Sequence, residues 1–411
     1  MMTKSDAVCT LAMAGLLAAC GGPADGPSWQ GTIADSAGVA MVANPETGVW
    51  GPDDPWQMVE EYRVGGLEAA EQAEFGLVVG IDVDGNGNVY AADQQVQRIQ
   101  VFGPDGAYLR TLGSPGGGPG EIGQALSGVW VVGQEVWAAD LGNIRLNRWS
   151  LDGESLGSIP IDFSRGVPVR WDRVGEALVA QLRGIAALGM GETPTGDLVV
   201  TMGEDPQDTV MTLGRGETIE VTEGGQARMT LFEQEPMWDA AVDGRLLSGL
   251  NSTYRIEVRD ANGTLQRVIT KPYTKRPVSD SDQAQVRRAL RGLMQAQGAP
   301  PQAVEQFMQG VGFADNWPVM VQVIAGPNGT VWVQRLLTTD DLTAGDAEAE
   351  FNPQDLGSDE WDVFDAEGRY LGVVTMPSKF TPLRVEGDTF WGVQRDEFDV
   401  NSIVRFRLVR G

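Results

Sequence analysis

The chain contains no histidine and only two cysteines in 411 residues. Without imidazole there can be no Ser-His-Asp or Cys-His nucleophile system, no histidine general base and no His-ligated zinc. Both cysteines, Cys9 and Cys20, fall in the first twenty residues. Beyond them the chain has no disulfide and no thiol nucleophile. Basic residues are also scarce, with 30 Lys plus Arg against 57 Asp plus Glu and a net charge of −27. Such a polyanion repels nucleic acid and anionic lipid headgroups, so nucleic-acid binding is disfavoured. Long apolar runs are missing: Ala7 to Ala19 is apolar but too short to cross a bilayer. What remains is oxygen chemistry, with carboxylates as acid or base, or Ca²⁺ or Mg²⁺ held by Asp, Glu and Asn.

Glycine, by contrast, is abundant, at 54 residues, as a fold with many turns requires. The stretch from Ile81 to Gly113 shows how they are used. Asp84-Gly85-Asn86-Gly87 and Gly103-Pro104-Asp105-Gly106 are turn sequences separating runs of strand formers, giving four short strands in about 33 residues. A second copy runs from Gly128 to Ile161, in which Val136-Trp137-Ala138-Ala139-Asp140 matches Val89-Tyr90-Ala91-Ala92-Asp93 and Arg145-Leu146 matches Arg98-Ile99. Further units are expected over Val167 to Leu213, Trp238 to Tyr273, Met320 onward, and Leu383 to Val409. The last has three strands, and Gln57 to Val64 is a strand without a local partner. Joining the two ends closes a ring and removes its exposed edges. The expected fold is therefore all-β, a six-bladed β-propeller closed by an N-terminal strand.

Two stretches break the period. Residues 279–313 carry apolar residues at helical spacing (Val286, Leu290, Leu293, Met294, then Val304, Phe307, Met308, Val311), with Ser279 or Ser281 as cap, and predict an inserted helical hairpin. It either covers one edge of the β core or acts as a lid or partner-docking element. Residues 338–360 form an acidic loop with no basic residue. Glu217 to Pro236 reads as a long polar connection.

Leu17-Ala18-Ala19-Cys20 resembles a bacterial lipoprotein signal, in which the cysteine becomes the lipidated first residue. The implied organisation is a signal over 1–19, a lipidated tether over 20–56 with one strand at Gly38 to Ala43, and a propeller over 57–411. Gly21 after the cysteine resembles the pattern of outer-membrane lipoproteins, so contact with the membrane is expected through the lipid anchor alone. The blade pattern DGNGNVYAAD, RIQVF and PDG, GGGPGEI after blade one, and YRIEVRDANGTLQRVI in blade four resemble bacterial six-bladed propellers with NHL-like repeats, many of them envelope lipoproteins of unassigned function. This resemblance implies binding across one face of the propeller.

Candidate site residues come from the ends of the second strands. Asp93 and Asp140 each precede an Arg by five residues, Arg98 and Arg145, and can cap turn amides and pair with that Arg. The comparable positions elsewhere are Arg183, Asn251, Arg335 and Arg395. If these turns share one face, two carboxylates and three guanidiniums ring one mouth and could hold a carboxylate, phosphate or sulfate. Asp82, Asp84, Asn86, Gly87 and Asp93 also fit positions of a calcium loop, but no helix flanks them and a hairpin turn accounts for the same residues. No cofactor is expected, calcium being the one cation this stretch suggests. Three functions are compatible: a binding module for a protein, peptide, glycan or small anion; a Ca/Mg-dependent hydrolase or lyase with Asp93, Asp140 and Asn251 as conceivable ligands; and an envelope scaffold.

Overall fold

The computed structural model describes residues 28–51, 54–184, 196–204, 207–214, 220–221, 227–344 and 351–410. The expected signal and Cys20 lie outside these residues. Among those described, no helix is long and apolar enough to cross a membrane.

Six antiparallel four-stranded blades form the ring, five of them with strands in chain order from the inside outward, and two further strands extend the sheet of blade four. Blade one comprises Val78–Val83, Val89–Asp93, Arg98–Phe102 and Tyr108–Leu112. Blade two comprises Leu126–Val132, Glu135–Asp140, Arg145–Ser150 and Ser155–Pro160. Blade three is Val167–Val174, Ala177–Arg183, Leu198–Thr201 and Thr209–Thr212. Blade four is Pro236–Ala240, Leu246–Leu250, Arg255–Arg259 and Leu265–Thr270. Blade five is Met320–Ala325, Val331–Leu336, Gly357–Phe364 and Tyr370–Thr375. Blade six has Phe380–Glu386, Thr389–Arg395 and Asn401–Val409 from the C-terminus, and Gln57–Gly65 supplies its outer strand, pairing Gln57 with Val409 and Gly65 with Ser402. The ring is closed as the sequence predicts.

The turns explain why the repeat folds this way. Asp84 Oδ1 accepts the amides of Asn86 and Asn88, Asp260 those of Asn262 and Thr264, and Asp365 those of Glu367 and Arg369. A glycine at positive φ follows each time, at Gly87, Gly263 and Gly368. The apolar faces of neighbouring blades then meet in six clusters, one at each junction around the ring, with Trp238, Trp332 and Trp361 fully buried.

A seventh cluster belongs to a cap on the face that carries the blade-to-blade connections. Helix α1 (Asp280–Ala296) starts at Ser279, whose side chain accepts the Asp282 amide in a capping box, and α2 (Pro301–Gly310) follows it. Val286, Trp317, Leu336 and Phe351 pack together at its centre. The acidic loop joins this cap through α3 (Thr339–Thr343): Thr339 donates to Asp282, and Asp341 pairs with Arg276 at 2.7 Å. The connection read as long and polar differs from expectation. Within it, Ala227–Leu231 forms a strand parallel to Val311–Phe313, because the helical insertion returns beside it.

The segment expected as a tether is also partly built into the fold. Thr32–Ser36 and Val39–Ala43 form a hairpin whose second strand lies parallel to the outer strand of blade four, Ala40 opposite Arg267. Asn44 fastens it, donating to Gly368 O and accepting from the Tyr370 amide and Trp29 Nε1 at 2.7 to 2.9 Å. The chain then runs along blade five, where Trp50 N donates to Leu371 O, to reach blade six.

Candidate functional site

The six expected site residues all lie on the capped face, but each is engaged by its own blade or by the connection of a neighbouring one. Asp93 accepts the amides of Gly76, Leu77 and Gln95 at 2.8 to 3.0 Å, and Asp140 accepts those of Gly123 and Asn143 at 3.1 Å. Asn251 Oδ1 likewise accepts the Glu235 amide at 2.8 Å. These groups tie the incoming blade connection to the end of the second strand. The expected Arg latch forms in blade two, with Arg145 Nε 3.6 Å from Asp140. Arg98 instead donates to Glu74 O at 3.5 Å. Arg145 also holds the GGGPGEI segment through Gly117, Gly118 and Glu121 carbonyls.

The three guanidiniums of the expected anion mouth face carboxylates. Arg183 grips Asp197 and Glu235 at 2.8 and 2.5 Å, and Arg395 pairs with Asp355 and Asp399 at 2.5 and 3.0 Å. Arg335 binds Asp362 at 2.8 Å and also Glu360. The structure brings Arg183 and Asn251 together at Glu235. The acidic loop supplies partners for Arg335 and Arg395 through Glu360 and Asp355. The residues of the calcium-loop pattern do not converge either: Asp84 serves its turn, Asp93 serves Gly76 and Leu77, and Asp82 points to the propeller axis.

Arg335 is part of a dry network between blades four and five. Asp362, 1% exposed, accepts from Tyr254 Oη (2.6 Å), Lys271 Nζ (2.9 Å), Tyr370 Oη (2.7 Å) and Arg335 Nη2 (2.8 Å). Burial opposes its charge, yet Lys271 and Arg335 outweigh burial and hold the carboxyl below the ordinary carboxylate range. The Lys271 ammonium lies 4.1 Å from the centroid of the Tyr370 ring, and burial lowers its pKa against the pull of Asp362.

The site that sequence reasoning missed is on the axis. The innermost strands of all six blades enclose a cavity of about 390 Å³. Its charged lining is Asp82 from blade one, Arg170, Asp172 and Arg173 from blade three, Asp239 from blade four and Arg384 from blade six. Gly80 lets blades one and two approach here, since a Cβ on it would lie 2.9 Å from Gly128 Cα.

An innermost strand has one unpaired edge, and the three aspartates cover part of it. Asp82 Oδ2 accepts the Val131 amide of blade two at 2.7 Å, and Asp239 Oδ2 that of Ala325 in blade five at 2.7 Å. Asp172 accepts the amides of Ala240 in blade four and of Arg173. Asp82 further pairs with Arg384 and, at 3.7 Å, with Arg173.

Asp172 and Asp239 differ from Asp82 because their carboxyl groups bond to each other across the junction of blades three and four. The side chain of Asp239 is 16% exposed, and that surface faces the narrow cavity. Burial, then the neighbouring Asp172 charge, pushes Asp239 up to about 7, against Arg170, which approaches at 3.2 Å. Burial likewise raises Asp172. The pair therefore holds a proton between its two carboxyls near neutral pH, a behaviour that belongs to the dyad.

No protein-family model matches this chain, and no curated protein matches it. Among solved structures it is similar to a candidate exported protein of Bacteroides fragilis, with 12% identity, a TM-score of 0.52, and coverage of 90% of this chain and 99% of that one. It is also similar to a member of the DUF4221 family from Bacteroides vulgatus, with 11% identity, a TM-score of 0.51, and coverage of 88% and 100%. The likeness is one of fold. The propeller fold is thus a shared architecture, whereas the axial dyad is read from this chain alone.

Proposed function

We propose that this propeller is an exported binding protein, anchored in the cell envelope through a lipidated Cys20, that takes a small polar ligand into its axial cavity. The observation that carries the reading is the cavity itself: it is large enough for a small molecule, all six blades build it, and opposed charges face into it. The Bacteroides protein of similar fold described as exported supports the address. The second-strand residues Asp93, Asp140 and Asn251, each bonded to backbone amides, serve as structural ties in this reading. Among the described residues no group of three or more His, Cys, Asp or Glu side chains is placed to hold a metal ion, so the Ca/Mg-dependent hydrolase or lyase draws no support from them.

Two measurements test the proposal. Val169 lines the cavity and is 46% exposed, so Val169→Trp should fill the space without removing a polar contact. Wild type should gain thermal stability from at least one of a matched set of C6 probes, hexanoate, hexylammonium and hexanol, and the variant from none. Stabilisation equal in both proteins would move the site away from the axis. For the anchor, Cys20→Ala should abolish incorporation of labelled palmitate, and a variant that still carries label would overturn it.

A further inference from the structure

We propose that the axial cavity is a site for a small organic monoanion, a carboxylate with a short apolar body, held by the Arg170 guanidinium beside the apolar wall of Val169 and Leu383. This rests on the cavity being the ligand site. The first argument is a donor and acceptor inventory. The aspartates' oxygens are largely taken by Val131, Ala325, Ala240 and Arg173 amides and by arginines. Donors are left over. Arg170 makes one hydrogen bond, from Nη2 to Asp239, while its guanidinium lies 5.1 Å from the centroid of the Trp238 ring. Guanidinium donors left unused beside a cavity accept a ligand rich in acceptors, and a planar guanidinium suits a carboxylate.

The second argument is charge. Arg170, Arg173 and Arg384 face Asp82, Asp172 and Asp239, and the innermost strands of blades two and five bring no charged residue to the axis. Two carboxyls bonded to each other can do so only with one proton between them, which leaves three cations facing two anions. One positive charge in a narrow, weakly screened channel selects an anion of charge minus one. The third argument is shape: Val169 and Leu383, 46% and 41% exposed, give the cavity an apolar wall beside these donors.

The experiment is calorimetry of the folded domain with hexanoate, hexylammonium and hexanol at pH 6 and pH 8. Hexanoate should bind in preference to the other two, and its affinity should fall about tenfold per pH unit above Asp239's midpoint near 7, because the dyad must keep its proton. Arg170→Gln should weaken hexanoate at least about tenfold with an unchanged fold. Should that variant fold poorly, Arg170→Lys keeps the charge, removes the planar fork and must weaken hexanoate too. Asp239→Asn fixes the neutral partner and should bind hexanoate equally at both pH values. Preference for hexylammonium or hexanol, abolished by Val169→Trp, would overturn the anion assignment and leave the cavity reading intact. If none of the three binds, both fail.

Discussion

The protein contains two buried clusters of carboxylates and cations, and they are built to opposite ends. Between blades four and five, Asp362 is surrounded by Tyr254, Tyr370, Lys271 and Arg335, which donate to it over 2.6 to 3.1 Å. The charges are compensated and the cluster sits inside the wall of the ring. On the axis, by contrast, two carboxyls face each other and Arg170 makes a single hydrogen bond beside an open cavity. A complete polar network locks two blades together; an incomplete one beside a cavity is poised for a ligand.

The comparison can be broken most sharply at Asp362. Replacement by Ala leaves the largely buried Lys271 and the partly exposed Arg335 without their shared anion and should cost about 3 to 5 kcal/mol in urea unfolding, more than any single axial substitution. A cost below that of Asp239→Ala would reverse the ranking of the two regions. Next, Tyr254→Phe removes one hydrogen bond to a charged acceptor and should cost about 2 kcal/mol by the same measurement. Loss of nothing there would mean that Asp362 is served equally well by its other partners.

The third test uses pH, because the two regions respond with opposite sign. Asp362's pKa is lowered, so its stabilising contribution is present above the ordinary carboxylate range and disappears only as acid titrates it in the folded state. Asp239's pKa is raised to about 7, so the folded state binds more protons than the unfolded state between about pH 4 and 7. Stability from this group is full at the acid end of that window and falls as pH rises through 7. Asp239→Asn should therefore flatten the decline of Tm between pH 6 and 8 and raise stability at pH 8 by about 1 to 2 kcal/mol. An unchanged slope would show that the dyad carries no shared proton.

The smallest effect is expected on the rim. Arg395→Gln breaks pairs with Asp355 and Asp399, the latter 55% exposed, and should cost no more than about 1 kcal/mol, decreasing with added salt. Any larger loss of affinity for an anionic probe than for Arg170→Gln would return the binding site to the mouth formed by Arg183, Arg335 and Arg395.

Much of the architecture is legible in the amino-acid sequence because turn chemistry is local. Asp84, Asp260 and Asp365 each write the same turn within five residues, and the closing strand Gln57–Gly65 betrays itself by lacking a neighbour. The N-terminal hairpin is less visible because Asn44 bonds to Thr270, 226 residues away, and no local pattern marks such a partner. The parallel strand Ala227–Leu231 is hidden for the same reason, its partner lying beyond two helices. The axial site is hardest to read, since strand ends attract attention and strand interiors do not. Yet a signal exists: Trp171-Asp172 and Trp238-Asp239 repeat a Trp-Asp pair inside the innermost strand of two successive blades. An aspartate so placed must either cover a free backbone edge or face a cavity, and here it does both.

The closure of blade six sets the timetable of folding. Glu61 and Arg407 pair across 346 residues, so a strand made early waits for one made far later. Every other blade can assemble from contiguous chain, but the ring itself can be sealed only when Asn401–Val409 is present on the same side of any barrier. Contacts of such long sequence separation form slowly, because the loop between them must close first. A chain of this design remains open, and therefore threadable, until that strand arrives.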